Sequence, residues 1–218
     1  MTTLTETPLA PLLARLFKEA NAATSPAMAR YSREERARLL GSKTEYLDFY
    51  GSLKDLWLAV SPETGTLLYM LARSTGARII VEFGTSFGIS TLYLAAALRD
   101  NGGGRLITTE FEPSKVVRAR ANLAEGGLLD LVDIREGDAL ETLSADLPDR
   151  IDLLLLDGAK ALYPEILGLV ESRLRPGALV IADNADFSPE YLERVRSPAG
   201  GYMSTPFGDD VELSMRLG

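Results

Sequence analysis

Two residue types are missing altogether: the chain of 218 residues contains no cysteine and no histidine. Without cysteine there is no disulfide, no thiolate nucleophile and no sulfur ligand for a metal. Without histidine the usual general base and the commonest zinc ligand are gone as well. Ser-His-Asp and Cys-His schemes are therefore excluded. Chemistry has to come from carboxylates, lysine, tyrosine, a bound cation or a cofactor. Long apolar runs are lacking too, and the opening MTTLTETPLA is not laid out as a signal peptide, so a soluble, cytoplasmic protein without a membrane span is expected. There is no basic cluster, and the net charge of −8 gives no electrostatic reason to expect nucleic acid or an anionic membrane as partner. A small molecule is the expected partner.

What is present reads as one substantial core, with hydrophobic residues at 46% and charged residues at 25%. Residues 1–60 read as a helical segment that covers a ligand or a partner subunit, or simply packs as a hairpin. LAPLLARLFKEA is amphipathic, and Ser32 with Glu35 makes a capping box ahead of ERARLL. Residues 61–218 alternate regularly, beginning with a cap at Ser61 and a proline at the first helical position. Five apolar or β-branched runs follow, namely RIIVEF, RLITTEF, LVDIREG, IDLLLLD and ALVIADN. Helical segments separate them: PSKVVRARANLAEGG stops at Gly126 and Gly127, and YPEILGLVESRLRPG is expected to end at Pro176 and Gly177. Runs without alternation suit strands covered on both faces. GYMSTPFGDDVELSMRLG reads as a terminal hairpin turning at FGDD. The expected fold is α/β and Rossmann-like: a mostly parallel seven-stranded sheet, helices on both faces, and an antiparallel C-terminal strand.

The first strand runs through VEFGTSFGIS straight into a helix, a junction where α/β proteins hold nucleotide-like ligands. Gly84 and Gly88 give G-x-x-x-G rather than the three-glycine pattern that admits a pyrophosphate. Glu82, just ahead of the turn, is unwelcome to a diphosphate but suits an ammonium group. Glu110 ends the second strand, where a carboxylate accepts from both ribose hydroxyls, and Gly137 to Leu140, with Asp138 and Ala139, follow the third strand and can flank an adenine. An amino acid cation, a ribose and a base without phosphate describe S-adenosylmethionine. Each acid, taken alone, can equally be a helix cap.

A second group gathers at the same sheet edge. LLLLDGAK puts Asp157 and Lys160 after the fourth strand, and LVIADNAD puts Asp183 and Asn184 after the fifth. Neighbouring strands are about 5 Å apart, so the three oxygen donors Asp157, Asp183 and Asn184 can converge on a hard cation: Mg2+, with Ca2+ and Mn2+ fitting the same donors. The alternative is that Asp-Asn only starts a turn. Asp186 can join the site or cap the following helix.

On the segments VEFGTSFGIS, LITTEFEP, EGDA, LLLLDGAKALY and IADN, the chain from about Val60 onward resembles the cation-dependent class I O-methyltransferases, the family of catechol and caffeoyl-CoA O-methyltransferases. The resemblance implies a methyl transfer from S-adenosylmethionine to a hydroxyl of a small phenolic acceptor, with Lys160 and Asp157 as catalytic residues. It places metal ligands on Asp157, Asp183 and Asn184, and cofactor contacts on Val60, Glu82, Gly84, Ser90, Glu110, Ala139 and Asp157, with Thr85 in the same turn; it also implies a homodimer. Two departures stand out. Gly158-Ala159 replace the His-Trp of the animal catechol enzymes, and their late glutamate has no match, Met203 falling near its place. The acceptor-shaping residues are expected among the N-terminal helices and around Phe49, Tyr50, Trp57 and Tyr202, aromatics that can equally belong to the core. Competing readings are an NAD(P)-dependent oxidoreductase, disfavoured by the missing glycine and Glu82; a non-catalytic S-adenosylmethionine- or S-adenosylhomocysteine-binding protein; and a methyltransferase of RNA or protein, disfavoured by the acidic charge.

Overall fold

In the computed structural model, which describes residues 2–23, 27–208 and 210–218, the five apolar runs are the strands β1 (Ile79–Phe83), β2 (Arg105–Glu110), β3 (Val132–Glu136), β4 (Ile151–Leu156) and β5 (Leu174–Ala182). A terminal pair, β6 (Tyr202–Phe207) and β7 (Val211–Arg216), completes a sheet of order β3-β2-β1-β4-β5-β7-β6. Strands β1 to β5 are parallel, and β7 runs against both β5 and β6. Asp209, in the expected FGDD turn, lies outside the described residues.

The helices are α1 (Leu9–Ala22), α2 (Arg33–Leu40), α3 (Tyr46–Ser52), α4 (Pro62–Ser74), α5 (Ile89–Asp100), α6 (Pro113–Glu125), α7 (Ala139–Thr142), α8 (Tyr163–Val170) and α9 (Pro189–Arg196). They cover both faces, which is why a central strand such as β4 shows no polar alternation and is buried along its whole length. Ile80, Leu153 and Leu155 enter a cluster under α1, α4, α5 and α6, whereas Val81, Leu154 and Leu156 enter one under α8 and α9. Side chains of α2 and α3 form a third, smaller cluster around Leu39, Phe49 and Leu53.

Helix starts follow their local chemistry. Ser61 Oγ accepts from the Thr64 amide at 3.0 Å ahead of Pro62, and the Ser32–Glu35 box closes with bonds of 3.1 and 2.8 Å. Each such cap is worth about 1 kcal/mol. Helix α1 belongs to the main core, because Leu9, Leu12, Leu13 and Leu16 are all buried against α4–α6. Each contributes at most roughly 1.5–3 kcal/mol of burial.

One boundary differs from the sequence reading. Helix α8 stops at Val170, and β5 already begins at Leu174, so Pro176 and Gly177 lie inside a strand. The β4–β5 register slips between Ile151 and Leu153, and Gly177 has φ +77°. An irregular rung accommodates a residue without an amide hydrogen, so the proline is tolerated there.

Gly84 fixes how closely the ends of β1 and β4 approach. Its φ is +101°, and a Cβ there would sit 2.7 Å from the Asp157 carbonyl oxygen. Gly84→Ala is expected to lower unfolding free energy in urea by about 2 kcal/mol or more, combining left-handed strain with a backbone clash. An unchanged midpoint and slope would show that these strand ends separate freely.

Candidate active site

The sheet ladder continues one rung beyond its strands. The Thr85 amide donates to Thr109 O (3.0 Å), Gly137 to Glu110 O (3.0 Å), Asp157 to Phe83 O (2.9 Å) and Asp183 to Leu156 O (2.9 Å). These rungs bring the loops after β1, β2, β3, β4 and β5 onto one edge. Ser86 adopts φ +48°, which turns its amide onto Glu110 Oε2 at 2.8 Å, while Glu110 Oε1 accepts from the Glu112 amide at 3.0 Å.

Two adjoining cavities of about 70 and 10 Å3 flank the glycine turn. Gly84, Glu110, Asp138, Ala139 and Asp157 line the first, and Val60, Gly84, Thr85 and Ser90 line the second. Glu82 is placed differently. It is 0% exposed behind the turn, its oxygens accepting from Ser90 Oγ and Thr91 Oγ1 at 2.6 Å each, so it bears on the cavity through Ser90. Burial pushes its carboxyl up to about 7 against the downward pull of the Ser90, Thr108 and Thr91 hydroxyls. Burial likewise raises the Glu110 carboxyl, opposed by the Glu112 amide and the Lys115 charge.

A third cavity, of about 290 Å3, meets the first at Tyr50, Leu58, Asp157 and Gly158. Phe49, Tyr50, Leu53 and Trp57 supply its apolar walls, and Asp157, Lys160, Asp183 and Asn184 supply its polar end. Tyr202 is elsewhere: it is 5% exposed in the core, and its hydroxyl donates to Glu171 at 2.9 Å. Asp186 is exposed and supplies no side-chain cap to α9.

At the polar end, Lys160 Nζ donates to Asp157 Oδ1 at 2.9 Å, and both Lys160 and Asp183 are buried. Burial alone would lower the Lys160 pKa, but the Asp157, Tyr163 and Asp183 charges outweigh it and hold the lysine well above its ordinary value. It is an ammonium in this arrangement. Burial, and next the Asp157 charge, push Asp183 up to about 7. Asn184, left-handed at φ +49°, donates its amide NH2 to Asp210 Oδ2 at 2.9 Å, which leaves its carbonyl as the end not committed to Asp210. Among the described residues no three His, Cys, Asp or Glu side chains gather as a metal cluster. The set here is two crowded carboxylates and an amide oxygen, a donor set that fits a hard cation, whose charge would relieve the repulsion between the acids.

Residues absent from the sequence reading also meet here. Tyr46 and Leu47 of α3 and Lys115 of α6 line the first cavity, and the Tyr46 hydroxyl donates to Asp138 Oδ2. Lys115 stands five residues after Glu110, on the first turn of α6, which is the signal that could have marked it.

A family model described as a methyltransferase domain matches residues 81–185. The chain is 37% identical over 130 residues to a catechol O-methyltransferase of Niastella koreensis, 58% of each protein. It is 34% identical over 127 residues to a catechol O-methyltransferase of Mycobacterium tuberculosis, 58% of this chain and 57% of that one. Among solved structures, the O-methyltransferase TomG of Streptomyces achromogenes, in complex with SAM, is 31% identical with TM-score 0.66 over 84% of this chain and 94% of that one. The chain belongs to the class I O-methyltransferase family. An O-methyltransferase of Bacillus cereus in complex with SAH superposes on this O-methyltransferase-family chain with TM-score 0.68 and 26% identity, covering 83% of this chain and 94% of that one. The chain spans just under three fifths of the length of the two curated catechol relatives. No helix among the described residues is long and apolar enough to cross a membrane.

Glu82 gives this O-methyltransferase fold a pH signature. An acid that binds its proton more tightly folded than unfolded contributes stability that is complete below its ordinary value of 4.5 and lost as pH rises through about 7. The loss is at most about 3 kcal/mol. Glu82→Gln keeps the hydroxyl contacts, since Ser and Thr can donate or accept, and is expected to flatten the fall in urea-unfolding free energy between pH 5 and pH 8. An equal fall in wild type and variant would remove Glu82 as its source.

Proposed function

We propose that the protein moves the methyl group of S-adenosylmethionine to a hydroxyl of a small phenolic or catechol-like acceptor. The observation that supports this best is the sharing of Asp157 between the cavity at the glycine turn and the cavity that holds Lys160 and Asp183. A donor in the first and an acceptor in the second would meet across the frame of Tyr50, Leu58, Asp157 and Gly158. Neighbouring placement of two reactants is what an in-line displacement needs, and it can supply several kcal/mol.

In this reading Glu110, already aimed by two backbone amides, accepts from the ribose hydroxyls, and Ala139 lies at the base. Ser90, held by Glu82, faces the amino acid end. Asp157, Asp183 and Asn184 would hold a divalent cation, whose chemistry is to acidify a coordinated hydroxyl. Lys160, as an ammonium, stabilises the developing phenolate by charge, and the phenolic proton leaves to solvent while the methyl passes from the sulfonium, which departs as a neutral thioether. A phenol of pKa about 10 is ionised only to about one part in a thousand at neutral pH, so this stabilisation is the harder requirement. No step in this scheme calls on a histidine.

The donor and acceptor roles separate by mutation. Asp183 lines the acceptor cavity but not the first cavity, so Asp183→Ala is expected to cut Mg2+-dependent methylation of a dihydroxybenzene, read by mass spectrometry, by at least about a hundredfold. Adenosylhomocysteine affinity by calorimetry should stay close to wild type. Activity persisting in that variant, or in wild type with excess chelator, would overturn the cation assignment. Glu110→Ala should instead weaken adenosylhomocysteine binding by about tenfold or more, and an unchanged affinity would remove it from the ribose.

A further inference from the structure

A fourth cavity, of about 480 Å3, also borders Asp183 and Asn184 and shares Trp57 and Ala59 with the 290 Å3 cavity. The two spaces differ in chemistry. The smaller is walled by Phe49, Tyr50, Leu53 and neighbouring apolar groups and suits a ring. The larger carries Asn21 of α1, Ser61 and Thr64 at the start of α4, and Asp210 from the turn between β6 and β7.

Asp210 is exposed yet fixed in place. Its carboxylate accepts from Asn184 Nδ2 at 2.9 Å, and its carbonyl accepts from the Ala185 amide at 3.0 Å. No lysine or arginine lines this space among the described residues, and Lys160, paired with Asp157, belongs to the smaller one. A cation seated between Asp157 and Asp183 would offset those two acids and leave the Asp210 charge standing. The amino end of α4 would on its own favour an anion, but the Thr64 amide is already capped by Ser61 Oγ.

We propose that the larger cavity receives the tail of the acceptor, and that Asp210 selects tails that are cationic, or neutral and hydrogen-bonding, over carboxylate or phosphate tails. The inference rests on the reading of the site as one that methylates a ring hydroxyl. Trp57, standing between the two spaces, is then the edge over which the acceptor bends from ring to tail.

Three catechols of different tail charge test this: dopamine, 4-methylcatechol and 3,4-dihydroxyphenylacetate, assayed with the full chain, S-adenosylmethionine and Mg2+. Wild-type kcat/KM is expected to favour dopamine over dihydroxyphenylacetate by about tenfold or more, with 4-methylcatechol between them. Asp210→Asn should bring that ratio near one, and Asp210→Lys should invert it, each value being normalised to 4-methylcatechol in the same variant. An equal or reversed preference in wild type, or a ratio that Asp210→Asn leaves unchanged, overturns the proposal. Calorimetric binding of the same compounds to the adenosylhomocysteine complex keeps the two readings apart. The expected binding order without methylation of any catechol would sink the phenol reaction and sustain the charged compartment, whereas binding without a tail preference would sink the compartment itself.

Discussion

The rungs of backbone hydrogen bond that extend past the carboxyl ends of the strands govern everything else at this edge. They tie Thr85, Gly137, Asp157 and Asp183 to neighbouring strands before any side chain is considered. Because parallel strands repeat about every 4.8 Å, residues that follow adjacent strands become neighbours in space. Asp157 and Asp183, 26 positions apart in the chain, are thereby forced close enough for one charge to raise the proton affinity of the other. Gly84 is the counterpart on β1, since only a residue without a side chain leaves the Asp157 backbone where it is.

Crowding acids in this way is unfavourable in isolation, and the fold offsets it locally. Lys160 sits three residues beyond Asp157 and returns to it at 2.9 Å, neutralising one carboxylate with the other left protonatable. Glu82 is treated differently, with hydroxyls rather than a cation around it, and its proton is held by burial. Two acids of neighbouring strands, the buried Glu82 in β1 and the half-buried Asp157 just past β4, thus carry different environments. The one beside a lysine faces a cavity, and the one wrapped in hydroxyls supports the glycine turn from behind.

Much of this architecture is legible in the sequence, because its signals are local and strong. IDLLLLD has no polar alternation, so it can only be covered twice, and Ser61-Pro62 and Glu112-Pro113 start helices through their own side chains. Asp157, Lys160, Asp183 and Asn184 are legible because strand ends are predictable once the strands are. What is not legible depends on contacts between distant segments. Nothing in YLDFYGS announces that Tyr46 reaches Asp138, 92 positions away. The hidden position of Glu82 needs Ser90 and Thr91 to fold back on it, and the role of Asp210 needs the β6–β7 turn to arrive beside Asn184. Pro176 and Gly177 read as a helix stop because an irregular rung between β4 and β5 leaves no trace in composition. Tyr202 is, by residue type alone, as fit for the acceptor site as for the core, and only the fold shows that its ring is buried and that the half-buried Glu171 claims its hydroxyl.

Trp57 has a separate consequence. It is the only tryptophan in the chain, its ring lies 4.6 Å from that of Phe87 with the Arg118 guanidinium 4.9 Å above it, and it borders the turn cavity and the 290 and 480 Å3 cavities. An indole in that position makes its ultraviolet emission a built-in optical gauge. Filling any of the three neighbouring spaces changes the polarity or quenching around a single fluorophore, so occupancy can be followed in the unlabelled protein without a coupled assay.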